Sequence, residues 1–93
     1  MKLFQNLKQE INKLEGKYGF IIKLYIVVQQ ENHWGTNVIL VIVPIQGSDI
    51  TENRQKIMSI QNILMNSISG LREEYIVILD HFGFILNDFT DVD

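Results

Sequence analysis

Residues 36–46, TNVILVIVPIQ, place apolar side chains on both faces of one predicted β-strand. Val38, Leu40 and Ile42 would face one way, and the residues between them would face the other. A strand of this kind is typically central in its sheet and is covered on both sides. Pro44 has no N–H to donate, so strand pairing is expected either to lapse there or to leave that edge free. Any fold of this chain must therefore cover two apolar sheet faces.

The first 30 residues predict a helix followed by a strand. Apolar residues in 2–15 recur at helical spacing, and Gly16 is expected to follow the end of this helix. Residues 19–30, GFIIKLYIVVQQ, then change to a period of two. One strand face is uniformly apolar and the other, with Lys23 and Gln29, is mixed. The apolar face would carry Phe20, Ile22, Leu24, Ile26 and Val28.

Residues 47–89 predict a second helix and one or two more strands. Asp49 and Glu52 have capping-box spacing, Thr51 is a rival N-cap, and the helix behind them would run to about Ser69. Met58, Ile63 and Met65 widen its apolar surface beyond one face. Residues 74–79 predict a third strand, short and apolar on both faces, and residues 84–86 are either a fourth strand or irregular.

The element order is therefore α-β-β-α-β, with an optional last strand. The predicted fold is a single α+β domain over residues 1–93, with an acidic tail from about residue 87. It is a two-layer sandwich, with two helices on one face of a three- or four-stranded, mostly antiparallel sheet. If the last strand pairs beside the others, the order matches a circularly permuted ferredoxin-like topology.

Composition and charge exclude several classes of function. The chain has no cysteine, which excludes disulfides, thiolate metal sites and a cysteine nucleophile. Its longest apolar run is eight residues, against about 20 for a membrane span, and its first residues do not resemble a signal peptide. We expect a soluble cytoplasmic protein without membrane contact. The net charge of −3 argues against general nucleic-acid binding.

The charges are unevenly distributed along the chain. Five lysines lie in the first quarter, and no Lys or Arg follows Arg72. Ordinary surface solvation accounts for this pattern, and so would opposed ends that attract another copy or a partner. A nucleic-acid or nucleotide-binding domain that uses Lys13, Lys17, Lys23 and Tyr25 is the alternative function.

Two polar segments are candidate sites. QQENHWGTN, residues 29–37, predicts a hairpin turn, in which Trp34 either folds back on the sheet or projects as an anchor for a partner. His33 has no second metal ligand at i+2 or i+4. Asp80-His81 ends the third strand, where it is either a turn or part of a catalytic or metal site. No recognisable nucleophile accompanies it, and neither a phosphate-binding loop nor a KH-type GxxG loop occurs in its proper context.

The apolar surface exceeds what two helices can cover, and a large exposed apolar patch is unusual on a monomer. We therefore predict a non-enzymatic protein–protein interaction module, of inhibitor, immunity or adaptor type, that binds a second copy as a homodimer, another protein, or both. We predict no cofactor and no metal. The predicted interaction surface consists of Tyr25, Trp34, Ile39, Val41, Val43, Met58 and Met65.

Overall fold

The computed structural model describes residues 2–30, 35–68 and 70–89, with side chains from residue 8 onward except at 25, 27–30, 35 and 36. The chain forms two helices and three strands, and two short 3-10 turns, Ile50–Glu52 and Glu73–Tyr75, lie before and after the second helix. In chain order these elements are α1 (Lys2–Tyr18), β1 (Phe20–Gln30), β2 (Gly35–Pro44), α2 (Arg54–Ser67) and β3 (Ile76–Asp80).

The three strands form one mixed sheet in the order β1-β2-β3. β1 and β2 form an antiparallel hairpin, whose pairing runs from Phe20 opposite Pro44 to Gln30 opposite Gly35. β3 returns parallel to β2, after a crossover that contains α2. β2 is thus the central strand and ends at Pro44, as its sequence predicts. The α+β sandwich with two helices on one sheet face is confirmed.

The core lies between the helices and one face of the sheet, which we call the inner face. Ile11 and Leu14 of α1 are buried at the helical spacing that predicted them. The sheet and α2 supply most of the remaining core. The buried apolar residues of β2, β3 and α2 are Val38, Leu40, Ile42, Ile76, Ile78, Ile57, Ile60 and Leu64.

α1 ends three residues later than predicted. Gly16 lies inside the helix, and Gly19 is the residue with positive φ, at +74°. The N–H of Gly19 donates to the carbonyl of Glu15, which closes the helix in the manner of a left-handed C-terminal cap. Tertiary contacts stabilise the extra turn, because the Tyr18 carbonyl accepts a hydrogen bond from the Ser48 hydroxyl at 2.7 Å.

α2 also begins later than predicted, because neither Asp49 nor Thr51 caps it. Residues 50–52 form a 3-10 turn, and the N-cap of α2 is Asn53, whose side chain accepts from the Lys56 N–H at 3.2 Å. Asp49 instead accepts hydrogen bonds from the side chains of Asn53 and Lys56. Both hydrogen bonds lower the pKa of the Asp49 carboxyl, and the one from Asn53 has the larger effect.

Residues 84–89 turn back along β3, and we call this segment the strap. It contributes one antiparallel bridge, Leu79 to Ile85, and the Leu86 N–H donates to the Ile78 carbonyl at 2.7 Å. Among the described residues the strap is therefore a bridge and not a fourth strand. Its far end is fixed by Arg54, which donates to the Phe89 carbonyl at 2.9 Å and lies over the Phe89 ring.

Candidate interaction surface

The side of the sheet that faces away from the helices is apolar over all three strands. Register places Val41 opposite Leu24 on one side and opposite Leu79 on the other, and Ile39 occupies the equivalent position between Ile26 and Val77. Asn37 marks the polar end of this surface near the hairpin turn. We call it the outer face and define it by Ile21, Leu24, Ile26, Ile39, Val41, Val43, Val77, Leu79 and Ile85.

An irregularity in β1 puts two of these residues on the outer face. The register shifts between Ile22 and Leu24, so that Ile22 still pairs with the buried Ile42 while Leu24 pairs with Val41. Such a shift is typical of a β-bulge, which inserts one residue and reverses the alternation beyond it. The predicted single apolar face from Phe20 to Val28 is therefore wrong. Leu24 and Ile26 share a face with Ile21, not with Phe20.

No described part of the chain covers the outer face. In β1, Ile21 is 52% exposed, Leu24 50% and Ile26 41%. The side chains of β2 and β3 on this face are half-buried, because they lie between those of neighbouring strands. β-branched residues and leucines in contiguous rows, without a charge among them, present the kind of surface that monomers rarely expose.

The turn after β3 adds aromatic residues at one end of the sheet. Phe82 is 74% exposed and Phe84 is 68% exposed. The Asp80 carboxylate accepts hydrogen bonds from the backbone N–H groups of both, each at 2.9 Å. The turn is thus held in one conformation while it displays two phenyl rings to solvent.

This hydrogen bonding also defines the role of Asp80 and His81. One Asp80 oxygen is committed to the turn, and the exposed His81 ring stacks on Phe82 with 4.0 Å between ring centroids. Over the described residues, no group of three or more His, Cys, Asp and Glu side chains is placed to bind a metal ion. The turn interpretation of Asp80-His81 accounts for these contacts.

The predicted surface residues fall into three groups. Ile39, Val41 and Val43 lie together on the outer face. Met58 is exposed on α2 and Met65 packs against the core, so both methionines belong to the helical layer. Tyr25 is paired with Leu40 in the register, and Trp34 lies outside the described residues.

Among the described side chains, which begin at residue 8, the lysines of the first quarter make separate contacts. Lys8 and Lys23 flank a groove between α1 and β1, Lys13 approaches Glu10 at 3.6 Å, and Lys17 lies over the Tyr18 ring. A nucleic-acid surface needs adjacent cations along a phosphate path, commonly with stacking aromatics. The described lysines offer separate local contacts instead.

Sequence reasoning missed six of the nine residues that define the outer face. No binding role is predicted for the other six, although the third strand is predicted to be apolar on both faces; these six are Ile21, Leu24, Ile26, Val77, Leu79 and Ile85. The sequence signal for this surface was an imbalance between strands and helices. Two strands are each apolar on both faces, whereas two helices can cover only one side of the sheet. The β1 bulge gave no comparable signal.

Comparison with known proteins gives a partial match. No protein-family model matches the chain. A stretch of 52 residues, 56% of the chain, is 42% identical to part of a flagellar M-ring protein of Borreliella burgdorferi. A stretch of 50 residues, 54% of the chain, is 42% identical to part of a flagellar M-ring protein of Treponema pallidum. Each match spans 9% of the relative's length, so the chain is similar to a small portion of these proteins.

The similarity bears on two predictions. Both relatives are named as flagellar M-ring proteins, and a name that refers to a ring agrees with a role in protein–protein interaction. The predicted cytoplasmic location is wrong on this comparison, because flagellar M-ring proteins sit in the inner membrane. Neither composition nor the lack of a long apolar run carries information on where similar proteins are located.

Neither helix of the described chain has the length and apolarity that crossing a bilayer requires.

Proposed function

We propose that this chain is a non-enzymatic assembly module that self-associates through its outer face, in the simplest case as a pair of copies packed sheet to sheet. The observation that carries the proposal is the outer face itself, whose nine defining residues are all apolar and lie on the side of the sheet away from both helices. Two sheets that pack face to face interdigitate such side chains and remove them from water.

The hydrophobic effect supplies the driving force. Burial of apolar surface contributes about 25 cal/mol per Å². The side chains of the outer face are aliphatic, so their removal from water leaves no polar group without a partner. They project from strands with fixed backbones, so little conformational entropy is lost on association.

The comparisons support an assembly role over the other interaction types. The chain resembles a portion of M-ring proteins, whose name describes a ring. Among inhibitor, immunity and adaptor proteins, the adaptor type is the one that works by joining subunits. We therefore place the chain with proteins that build an assembly through repeated contacts.

Val41→Glu tests the proposal, because Val41 lies at the centre of the outer face and does not belong to the buried core. A carboxylate there would have to be buried unpaired in the interface, which opposes association strongly. We expect the molar mass from light scattering on a sizing column to fall to about half of the wild-type value.

Asn62→Glu is the matched control. It introduces the same charge at an exposed position of α2, in the other layer of the molecule. Its mass should equal that of the wild type, and circular dichroism should show both variants folded. An unchanged mass for folded Val41→Glu would contradict the proposal.

A further inference from the structure

The two edges of the sheet differ in protection. Along β3 the strap covers the edge, through the Leu79–Ile85 bridge and through Asn87. The Asn87 side chain accepts from the Ile78 N–H at 3.0 Å and donates to the Ile76 carbonyl at 2.7 Å, as a neighbouring strand would. β1, at the other edge, has β2 on one side and no strand on the other among the described residues.

The open edge has little defence against strand addition. Proteins commonly protect edge strands with charges, prolines or short length. β1 is 11 residues long, contains no proline and carries Lys23 as its single charge. Its bulge lies near one end, so the register from Leu24 to Gln30 is regular and presents backbone groups to a further strand.

We propose that β1 pairs antiparallel with β1 of a second copy, about a two-fold axis near Ile26, and so forms a continuous six-stranded sheet. Ile26 is the midpoint between Ile22 and the end of β1. Ile22 limits the pairing on one side, because its N–H already donates to the Glu15 carboxylate at 2.7 Å. This inference adds a second contact to the outer-face contact proposed above.

A second copy fits this edge in charge and in continuity. With the axis at Ile26, Lys23 is registered opposite Gln29 of the other copy, so the strand's single charge does not meet its own counterpart. Leu24 and Ile26 lie on the outer face, which therefore continues across the junction without a polar break. Cross-strand apolar pairs of this kind stabilise sheets.

The strap explains why such pairing would stop at two copies. A sheet with two open edges can add molecules at both ends without limit. Here Asn87 and Ile85 occupy the β3 edge, so only β1 is available and the two-fold contact closes on itself. Combined with outer-face packing, the result is four copies, as two six-stranded sheets packed face to face.

A groove of about 300 Å³ beside the open edge has room for the end of the incoming strand. It lies between α1 and β1, with Ile11, Ile22 and Leu24 as its apolar part and Asn12 and Lys23 among its polar part. With the axis at Ile26, the partner's β1 would end beside this groove, with Gln29 and Gln30 opposite Lys23 and Ile22 in the register.

Proline substitution tests the edge contact separately from the outer face. Successive N–H groups of a strand point to opposite sides, so one of Ile26→Pro and Val27→Pro removes an N–H directed at β2 and the other removes one directed outward. The outward variant should fold, and its mass should halve relative to the alanine variant of the same residue. A folded proline variant with the mass of its alanine control would overturn the inference.

Disulfide trapping in the Val41→Glu background provides a second test, since outer-face contact is disabled there and the chain has no cysteine of its own. Ile26→Cys would lie opposite itself, within the Cα separation of about 4.4–6.8 Å that a disulfide allows. Leu24→Cys, on the same strand face, would be four residues out of register with itself. We expect a covalent dimer from Ile26→Cys and none from Leu24→Cys.

The two proposals fail in different ways. Equal cross-linking at both positions, or none at either, would overturn edge pairing and leave outer-face association untouched. A Val41→Glu mass equal to that of the wild type would contradict outer-face association, and the cysteine pair would still report on the edge.

Discussion

Gly19 shows how one residue fixes the junction between α1 and the sheet. Its φ of +74° is accessible to glycine without strain, and a Cβ there would lie 3.1 Å from the Ser48 Cβ and 3.2 Å from its Oγ. Gly16, three residues earlier, lies within the helix with nothing within 4 Å of a Cβ. The sequence alone offers two glycines as helix ends, and the Ser48 contact that selects Gly19 comes from 30 residues away.

Alanine at these two glycines should have opposite effects on stability. Gly19→Ala forces a strained backbone against Ser48, and we expect the free energy of unfolding to fall by more than about 1 kcal/mol. Gly16→Ala removes a flexible residue from a helix and should raise it by about 0.5–1 kcal/mol. Urea unfolding of both variants measures the difference, and equal effects would show that the helix end is misplaced.

At the scale of elements, the strap depends on a pair of side-chain amides. Asn87 donates to the buried Gln61 of α2 at 2.9 Å and also bonds to the β3 backbone on both sides of Val77. Phe89 packs against the core beyond it. The sequence around Asn87, NDFTDVD, does not indicate this role. The role depends on contacts with β3 and α2 that form only when the chain folds.

Asn87→Ala should release the strap and leave an Ile78 N–H and an Ile76 carbonyl without their partners. An unmade hydrogen bond at a partly buried group costs about 1–3 kcal/mol, so we expect a loss near 2 kcal/mol in urea unfolding. Amide exchange at Ile78 should also accelerate. Asn66→Ala, at an exposed α2 position, is the control and should not destabilise the protein. Equal stability of the two variants would contradict the role of Asn87.

The strands show what periodicity can and cannot predict. The faces of β2 followed directly from alternation, because its register is regular beside both neighbours. In β1 the same rule failed after Ile22, because one inserted residue exchanges the two faces of the strand. The sequence does not reveal the exchange, because the alternating residues on either face of β1 are apolar enough to be buried. Alternation in a sequence reports the faces of a strand only where no bulge interrupts it.

At the scale of the whole molecule, the number of layers that pack on the sheet determines which apolar surface stays exposed. Two helices cover the inner face, and the outer face has no third layer over it among the described residues. The sequence predicted this imbalance from chain length and from strands that are apolar on both sides. It could not show which face would be free, because that depends on where the α2 crossover places the helices.

Sedimentation equilibrium of the unaltered chain over a wide range of concentrations tests the central claim most directly. Self-association through the outer face predicts a weight-average mass that rises above that of one chain as concentration increases. A mass that stays at one chain throughout the range would contradict the account.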